Sequence, residues 1–216
     1  SDTPAFLMDV EAAILDMGRR ARRASRELVK LSSDQKNRIL RAMAAQLLAD
    51  EPAILAANAA DLDRARSAGL SAAMIDRLTL DPKRLRAIAA EVEAGGEPPD
   101  PPGAALALWP RPHGTRVAQL RAPTGISFAS RPIVPADAAS LCLKTGPATT
   151  HPRGSEAIDS NRALAASLQA GGEKEGLPAD SIQLVPFTDR ASVEHLARMD
   201  QFLDLILPRG GKGLIE

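Results

Sequence analysis

Apolar side chains return at every third or fourth position through residues 1–95, a spacing that predicts successive amphipathic helices. Leu7, Val10, Ile14, Met17, Ala21 and Ala24 mark one face of a long first helix. Ser32 followed by Gln35 fits a capping box, in which each side chain satisfies the other residue's backbone amide. It opens a second helix whose apolar stripe is Ile39, Leu40, Met43 and Leu47. Asp50 and Pro52 suit the cap and first turn of a third helix, and Gly69 suits its end. Ser71 and the pair Asp81-Pro82 start two shorter helices, the second carrying Leu85, Ile88 and Val92.

The pattern breaks at "GGEPPDPPG", residues 95–103, where the density of proline allows neither a helix nor a central strand. Strand candidates follow at 105–109 and 115–120, read as a hairpin or edge ribbon. Beyond them strands and helices alternate. Strands are expected at 125–129, 148–150 (a weak one), 182–187 and 203–207, and helices at 135–144, 155–170 and 190–199. The helix 135–144 stops at Gly146. The helix 155–170 turns Ala163, Leu164 and Leu168 inward and runs into a loop around "GGEKEGLP". Alternation of this kind predicts an α/β fold with a parallel sheet and ligands bound beyond the carboxyl ends of the strands. The chain thus divides into an N-terminal helical segment 1–95, a Pro-rich loop and ribbon 96–122, and a Rossmann-like segment 123–216.

Composition removes several functional classes. With 216 residues, 44% hydrophobic and 25% charged, the chain can bury a sizeable core as one large domain or two small ones. Its 27 basic and 27 acidic side chains cancel, so no general attraction to nucleic acid or anionic membrane is expected. Aromatic content is 2% with no tyrosine, which disfavours base stacking and leaves the core to Leu, Ile, Ala and Val. The apolar runs are too short to span a bilayer, and the first residues lack a signal-peptide pattern. One cysteine excludes an intrachain disulfide and a cysteine-based zinc site, and fits a reducing compartment such as the cytoplasm. Three scattered histidines argue against other metal sites.

That cysteine lies in "SLCLKTGPATTHPRGSEA", residues 140–157, with a lysine, a histidine and an acid nearby. Ala138, Leu141 and Cys142 fall at i, i+3 and i+4, so the thiol shares the apolar stripe of its predicted helix. It also sits near the helix C-terminus, where the dipole disfavours a thiolate. A nucleophile needs the opposite surroundings, so Cys142 reads as a small buried hydrophobe. His113, His151 and His195 have no partner at a telling spacing and are assigned no chemistry. The run Arg19-Arg20-Ala21-Arg22-Arg23 spreads over the flank opposite the apolar stripe and reads as a solvated helix face.

Two glycine turns leave a choice open. Arg153-Gly154-Ser155-Glu156 lies between a strand and a helix, where free amides at the helix N-terminus could take a phosphate or a ribose. Arg209-Gly210-Gly211-Lys212-Gly213 follows the last strand with more positive charge. Neither matches the dinucleotide fingerprint or the phosphate-loop motif, and tight-turn glycines explain each as well as a phosphate site does.

Four stretches carry a resemblance: "ANAADLDRARSAGLSAAMIDRLTLDPKRLRAIAAEV" (57–92), "ASLCLKTG" (139–146), "RGSEAIDSN" (153–161) and "LDLILPRGGKGLIE" (203–216). Together the chain resembles the gamma-glutamyl phosphate reductases, or glutamate-5-semialdehyde dehydrogenases, of the aldehyde dehydrogenase superfamily, from about Val10 to Glu216. The resemblance implies N-terminal helices followed by an aldehyde dehydrogenase-like cofactor domain. It implies reduction of gamma-glutamyl phosphate by NADPH to glutamate 5-semialdehyde in proline biosynthesis, through a cysteine that forms a thioester. Ser130, Arg131 and Pro132 match the family's turn at the cofactor and substrate cleft. Gly154, Ser155 and Glu156 match the segment that approaches the adenosine ribose. Pro208, Arg209, Gly210 and Gly211 match the glycine turn near the pyrophosphate and nicotinamide.

The departures carry their own expectations. The family's nucleophilic cysteine lies in its second half, and Cys142 matches a different cysteine, so no catalytic residue is expected among these 216 residues and the chain alone is expected to be inactive. Pro123 to Ile133, "PTGISFASRPI", is a shortened version of the family's first strand and turn, with Ile133 in place of an asparagine. Pro147 replaces another asparagine. His151 and Pro152 fall where a buried parallel strand should run, which proline weakens. These changes keep open an alternative, a non-catalytic nucleotide-binding or interaction module on the same scaffold. The ribbon at 105–120 offers an edge for pairing into a homo-oligomer.

Overall fold

The computed structural model describes residues 5–95, 105–110, 116–120, 124–129, 148–152, 155–185 and 205–209, with side chains described over 12–95 and 156–184. The expected helices 135–144 (with Cys142) and 190–199, together with His113 and His195, lie outside the described residues.

The first part of the chain forms five helices, as the periodicity predicts: α1 Ala5–Leu28, α2 Ser33–Ala49, α3 Glu51–Ser67, α4 Ala72–Leu78 and α5 Pro82–Ala94. Their ends are set by local chemistry. The Gln35 N–H donates to Ser32 Oγ at 3.2 Å and the Ser32 N–H donates to Gln35 Oε1 at 3.1 Å, closing the capping box. Asp81 Oδ1 caps α5 by accepting from the Arg84 N–H at 2.7 Å. Asp50 differs from expectation. It stands at the N-cap position of α3 without a side-chain cap bond, because its carboxylate accepts from Gln46 Nε2 at 3.0 Å. At the other end of α3, Gly69 adopts φ +74°, which glycine alone enters without steric cost. The Leu70 N–H then reaches the Ala65 carbonyl at 3.1 Å and the Gly69 N–H the Arg66 carbonyl at 3.0 Å, a Schellman closure.

Strands β1 Ala105–Pro110 and β2 Arg116–Leu120 form the expected antiparallel ribbon. Four further strands, β3 Thr124–Ala129, β4 Ala148–Pro152, β5 Ile182–Val185 and β6 Leu205–Arg209, form a parallel sheet in the order β5-β4-β3-β6. From β3 the chain steps outward through β4 to β5, then returns to place β6 on the other side of β3. The direction of winding therefore reverses between β3 and β6.

β4 runs on through His151 and Pro152, two residues past the expected strand 148–150. Both lie in the strand, paired with Leu184 and Val185 of β5. The β3 ladder stops at Ile126 opposite Thr150, two residues before Pro152, so the missing proline N–H falls where no β3 partner is waiting. After a single 3-10 turn at Ser155–Ala157, helix α6 runs Ile158–Glu173, three residues past the expected end. Gly171 and Gly172 lie inside it rather than in a loop. A Cβ on Gly171 would stand 2.6 Å from Gln46 Cβ and 2.7 Å from the Ala42 carbonyl oxygen, so α6 and α2 meet at backbone distance there.

One buried cluster joins Ala21, Ala24 and Leu28 of α1, Ile39, Leu40, Met43 and Leu47 of α2, Leu85, Ile88 and Val92 of α5, Leu164 and Leu168 of α6, and Ile182 of β5. Burying each large aliphatic side chain contributes about 1.5–3 kcal/mol. A satellite cluster of Leu62, Ala65, Leu78 and Ala157 lies between α3, α4 and the 3-10 turn. Among the described residues no helix is long and apolar enough to cross a membrane.

Candidate functional site

In an open parallel sheet, ligands bind at the carboxyl ends of strands where the winding reverses, because the two loops there diverge and leave a crevice. That place is set here by β3 and β6, which run in register from Gly125 opposite Leu205 to Ala129 opposite Arg209. Ser130, Arg131 and Pro132 come directly after β3, and Gly210 and Gly211 directly after β6; all five lie outside the described residues, as does Gly154. Pro208 and Arg209 are the last two residues of β6. Ser155 and Glu156 form the 3-10 turn that follows β4, the strand beside β3. Of the ten residues singled out from sequence, the four described ones, Ser155, Glu156, Pro208 and Arg209, lie at or just after the carboxyl ends of β4 and β6.

The turn at Ser155–Ala157 is the part of this region with described surroundings. Ala157 is fully buried against Leu62, Ala65 and Leu78. Glu156 is partly exposed, and among the described residues no hydrogen bond or ion pair holds its carboxylate. The helix beyond is held from α3. Asp61, fully buried, accepts from the Ser160 N–H at 2.7 Å, the Asp159 N–H at 3.2 Å and the Ser160 hydroxyl at 2.5 Å. The Ser160 oxygen in turn accepts from Asn58 Nδ2 at 3.0 Å. Asn58 also donates to the Leu78 carbonyl and accepts from the Leu80 N–H, each at 2.8 Å. Arg64 closes the group, pairing with both Asp61 and Asp159, the latter at 2.6 Å. Its pKa is held above the ordinary arginine value, first by the Asp159 hydrogen bond, with burial opposing it and the charges of Asp159 and Asp61 adding to the rise.

This arrangement corrects one expectation. The first-turn amides of α6 at Asp159 and Ser160 are not free for a phosphate, since a carboxylate of the same chain already takes them. The turn also carries the Glu156 carboxylate, an acceptor suited to hydroxyl groups. Sequence reasoning passed over Asn58 and Asp61. The signal was present: with Ile54 and Ala65 they fall at i, i+4, i+7 and i+11, so two polar residues occupy the stripe that packs inward.

The run at 19–23 also differs from its reading. Arg20 is not simply solvated: its guanidinium pairs with Asp16 at 2.9 Å and with Asp180, before β5, at 2.8 Å. Partial burial works to lower its pKa, but the Asp180 and Asp16 hydrogen bonds and charges outweigh it and hold the group above its ordinary value. Among the described residues no group of three or more His, Cys, Asp or Glu is arranged to hold a metal ion.

The fold has counterparts among known proteins. No protein-family model matches the chain. An acetylating aldehyde dehydrogenase from Geobacillus thermoglucosidasius, at 14% identity, superposes with a TM-score of 0.68 over 99% of this chain and 45% of its own. The described fold is therefore that of part of an aldehyde dehydrogenase. The gamma-glutamyl phosphate reductase of Thermotoga maritima superposes with a TM-score of 0.84 at 32% identity, over 94% of this chain and 50% of its own. The gamma-glutamyl phosphate reductase of Paramagnetospirillum magneticum is 46% identical over 211 residues, 96% of this chain and 50% of its own length. The chain is thus a relative of the gamma-glutamyl phosphate reductases along nearly all its length, and it spans about half the length of the curated relatives it matches.

Proposed function

We propose that the chain is the N-terminal, cofactor-binding part of a cytoplasmic gamma-glutamyl phosphate reductase. The whole enzyme would reduce gamma-glutamyl phosphate to glutamate 5-semialdehyde with NADPH, in proline biosynthesis. In this reading residues 1–95 are the helical support, 96–122 carry the ribbon through which subunits pair, and 123–216 are a Rossmann-like cofactor segment. The observation that carries it is the reversal of winding between β3 and β6, with the segments matched to the family's cofactor turns at the ends of β3, β4 and β6.

The residues present suit a dinucleotide. NADPH supplies a hydride when bound. Glu156, unpaired among the described residues, would accept from ribose hydroxyls, with Gly154 and Ser155 allowing close approach. Gly210 and Gly211 would let backbone amides near the pyrophosphate, with Pro208 and Arg209 fixing where β6 ends. Ser130, Arg131 and Pro132 would line the cleft toward the acyl phosphate. None of these side chains can form the thioester, so the 216-residue chain is expected to bind NADPH without reducing gamma-glutamyl phosphate.

Calorimetric titration of the chain with NADPH, paired with a reductase assay, tests both halves. Micromolar binding with no turnover is expected. Turnover abolished by Cys142→Ala would overturn the inactivity, and absence of binding would overturn the cofactor reading. A non-catalytic interaction module is the second reading, favoured by Ile133 and Pro147 where the family has asparagines and by a β3–β4 ladder of only three residue pairs. That reading gains if NADPH does not bind.

A further inference from the structure

We propose that Asp61 is a positioning residue for the cofactor site: through α3 it fixes the turn that presents Glu156. The inference rests on the cofactor reading above and goes beyond it, since Asp61 lies far from the site in sequence and on a helix outside the sheet.

Three observations converge. The Ser155–Ala157 turn is seated from below, because Ala157 is fully buried against Leu62, Ala65 and Leu78. It is tethered from ahead, because the N–H groups of Asp159 and Ser160, three and four residues after Glu156, both donate to the buried Asp61 carboxylate. Its outer side is clamped, because Arg64 bridges Asp61 and Asp159 across α3 and α6. Glu156 stands one residue before the seat and three before the tether, with a carboxylate that no described residue engages. A carboxylate unengaged among the described residues, on a turn anchored immediately after it, is the arrangement by which a group is pre-aimed at a ligand rather than used in packing.

The charge also has a direction. A carboxylate against the first-turn amides of α6 is favoured by the helix dipole, and the Ser160 hydroxyl and Arg64 satisfy the rest of its hydrogen-bonding capacity. An amide at position 61 would present an N–H₂ group or a weaker acceptor to those N–H groups. The first turn of α6 would then loosen while the apolar seat of Ala157 stayed intact, so the fold persists and the aim of Glu156 does not.

The test is a double-mutant cycle read as the NADPH dissociation constant of the 216-residue chain, measured well below each variant's melting temperature. Asp61→Asn and Glu156→Ala should each weaken NADPH about tenfold, and Asp61→Asn should add less than about twofold in the Glu156→Ala background. Equal loss in both backgrounds would show that Asp61 acts on the fold at large and would overturn the inference. So would wild-type affinity in Asp61→Asn alongside a weakened Glu156→Ala. The cofactor reading itself fails if Glu156→Ala binds as wild type or if the wild-type chain does not bind, and the inference falls with it. Should Asp61→Asn not fold, Arg64→Gln removes the half-exposed clamp alone. It should weaken NADPH two- to threefold, roughly, with the same loss of effect in the Glu156→Ala background; unchanged affinity would overturn the proposal.

Discussion

Two small residues on α6 respond to the same substitution in opposite ways. Ser167 is buried and its hydroxyl has no hydrogen-bond partner among the described residues, so the desolvation cost of burying it is not recovered. Ser167→Ala should stabilise the chain by about 1 kcal/mol, seen as a melting temperature raised by about 2–4 °C. Gly171→Ala gains helix propensity worth about 1 kcal/mol. It nevertheless places a Cβ 2.6 Å from Gln46 Cβ and 2.7 Å from the Ala42 carbonyl oxygen, where the near atoms belong to the backbone and root of α2 and cannot move aside. The crowding costs about 1–3 kcal/mol or more, so a net loss of stability is expected. A stabilised Gly171→Ala would mean that α2 and α6 are not in contact at this point. The sequence does not disclose the contact: "GGEKEG" reads as a loop because glycine pairs usually end helices, and the helix they approach is more than a hundred residues away.

At the scale of elements, what is legible from sequence is what the chain decides within a few residues. The Ser32–Gln35 box, the Asp81 cap and the Gly69 closure each depend on groups three to five positions apart, and each is found as expected. Docking of whole elements depends on distant partners and is not legible in this way. Helix α1 is the case in point. Arg20 reads as one more solvated arginine, yet it ties α1 to Asp180, and Gln183 Nε2 donates to the Met17 carbonyl from β5 at 3.2 Å. Both side chains of the pair remain about a third exposed, so the pair is worth about 0.5–1 kcal/mol and weakens with salt. Its pH behaviour follows from sign. The Arg20 pKa is raised, so its contribution is full below the ordinary arginine value and is lost only as pH climbs through the raised one. Arg20→Met should therefore cost the same stability at pH 7 and pH 10 in urea melts. A cost that shrinks steadily across that interval would assign the effect to another group.

For the whole molecule the question is whether a ligand at the sheet edge is felt by the core. The central cluster contains Leu164 and Leu168 of α6 together with Ile182 of β5, and α6 begins at the turn that carries Glu156. The candidate site and the core thus share a helix, and a ligand that binds only the folded chain would stabilise both together. At a hundred times its dissociation constant, NADPH would add about 2.7 kcal/mol, which for a chain of this size is a rise of about 5–10 °C in melting temperature. The same concentration should raise Glu156→Ala by only about half as much, since a tenfold loss of affinity leaves about 1.4 kcal/mol of that stabilisation. Glu156 was legible in sequence as part of the "RGSEAIDSN" match, whereas the α3 cradle that connects it to the core was not, because Asp61 is recognisable only by its place on an inward stripe. An equal rise in both proteins would mean that NADPH binds but not at this turn, moving the site along the sheet toward β3 and β6. No rise in either would leave the sheet a scaffold without its nucleotide, the outcome expected of an interaction module.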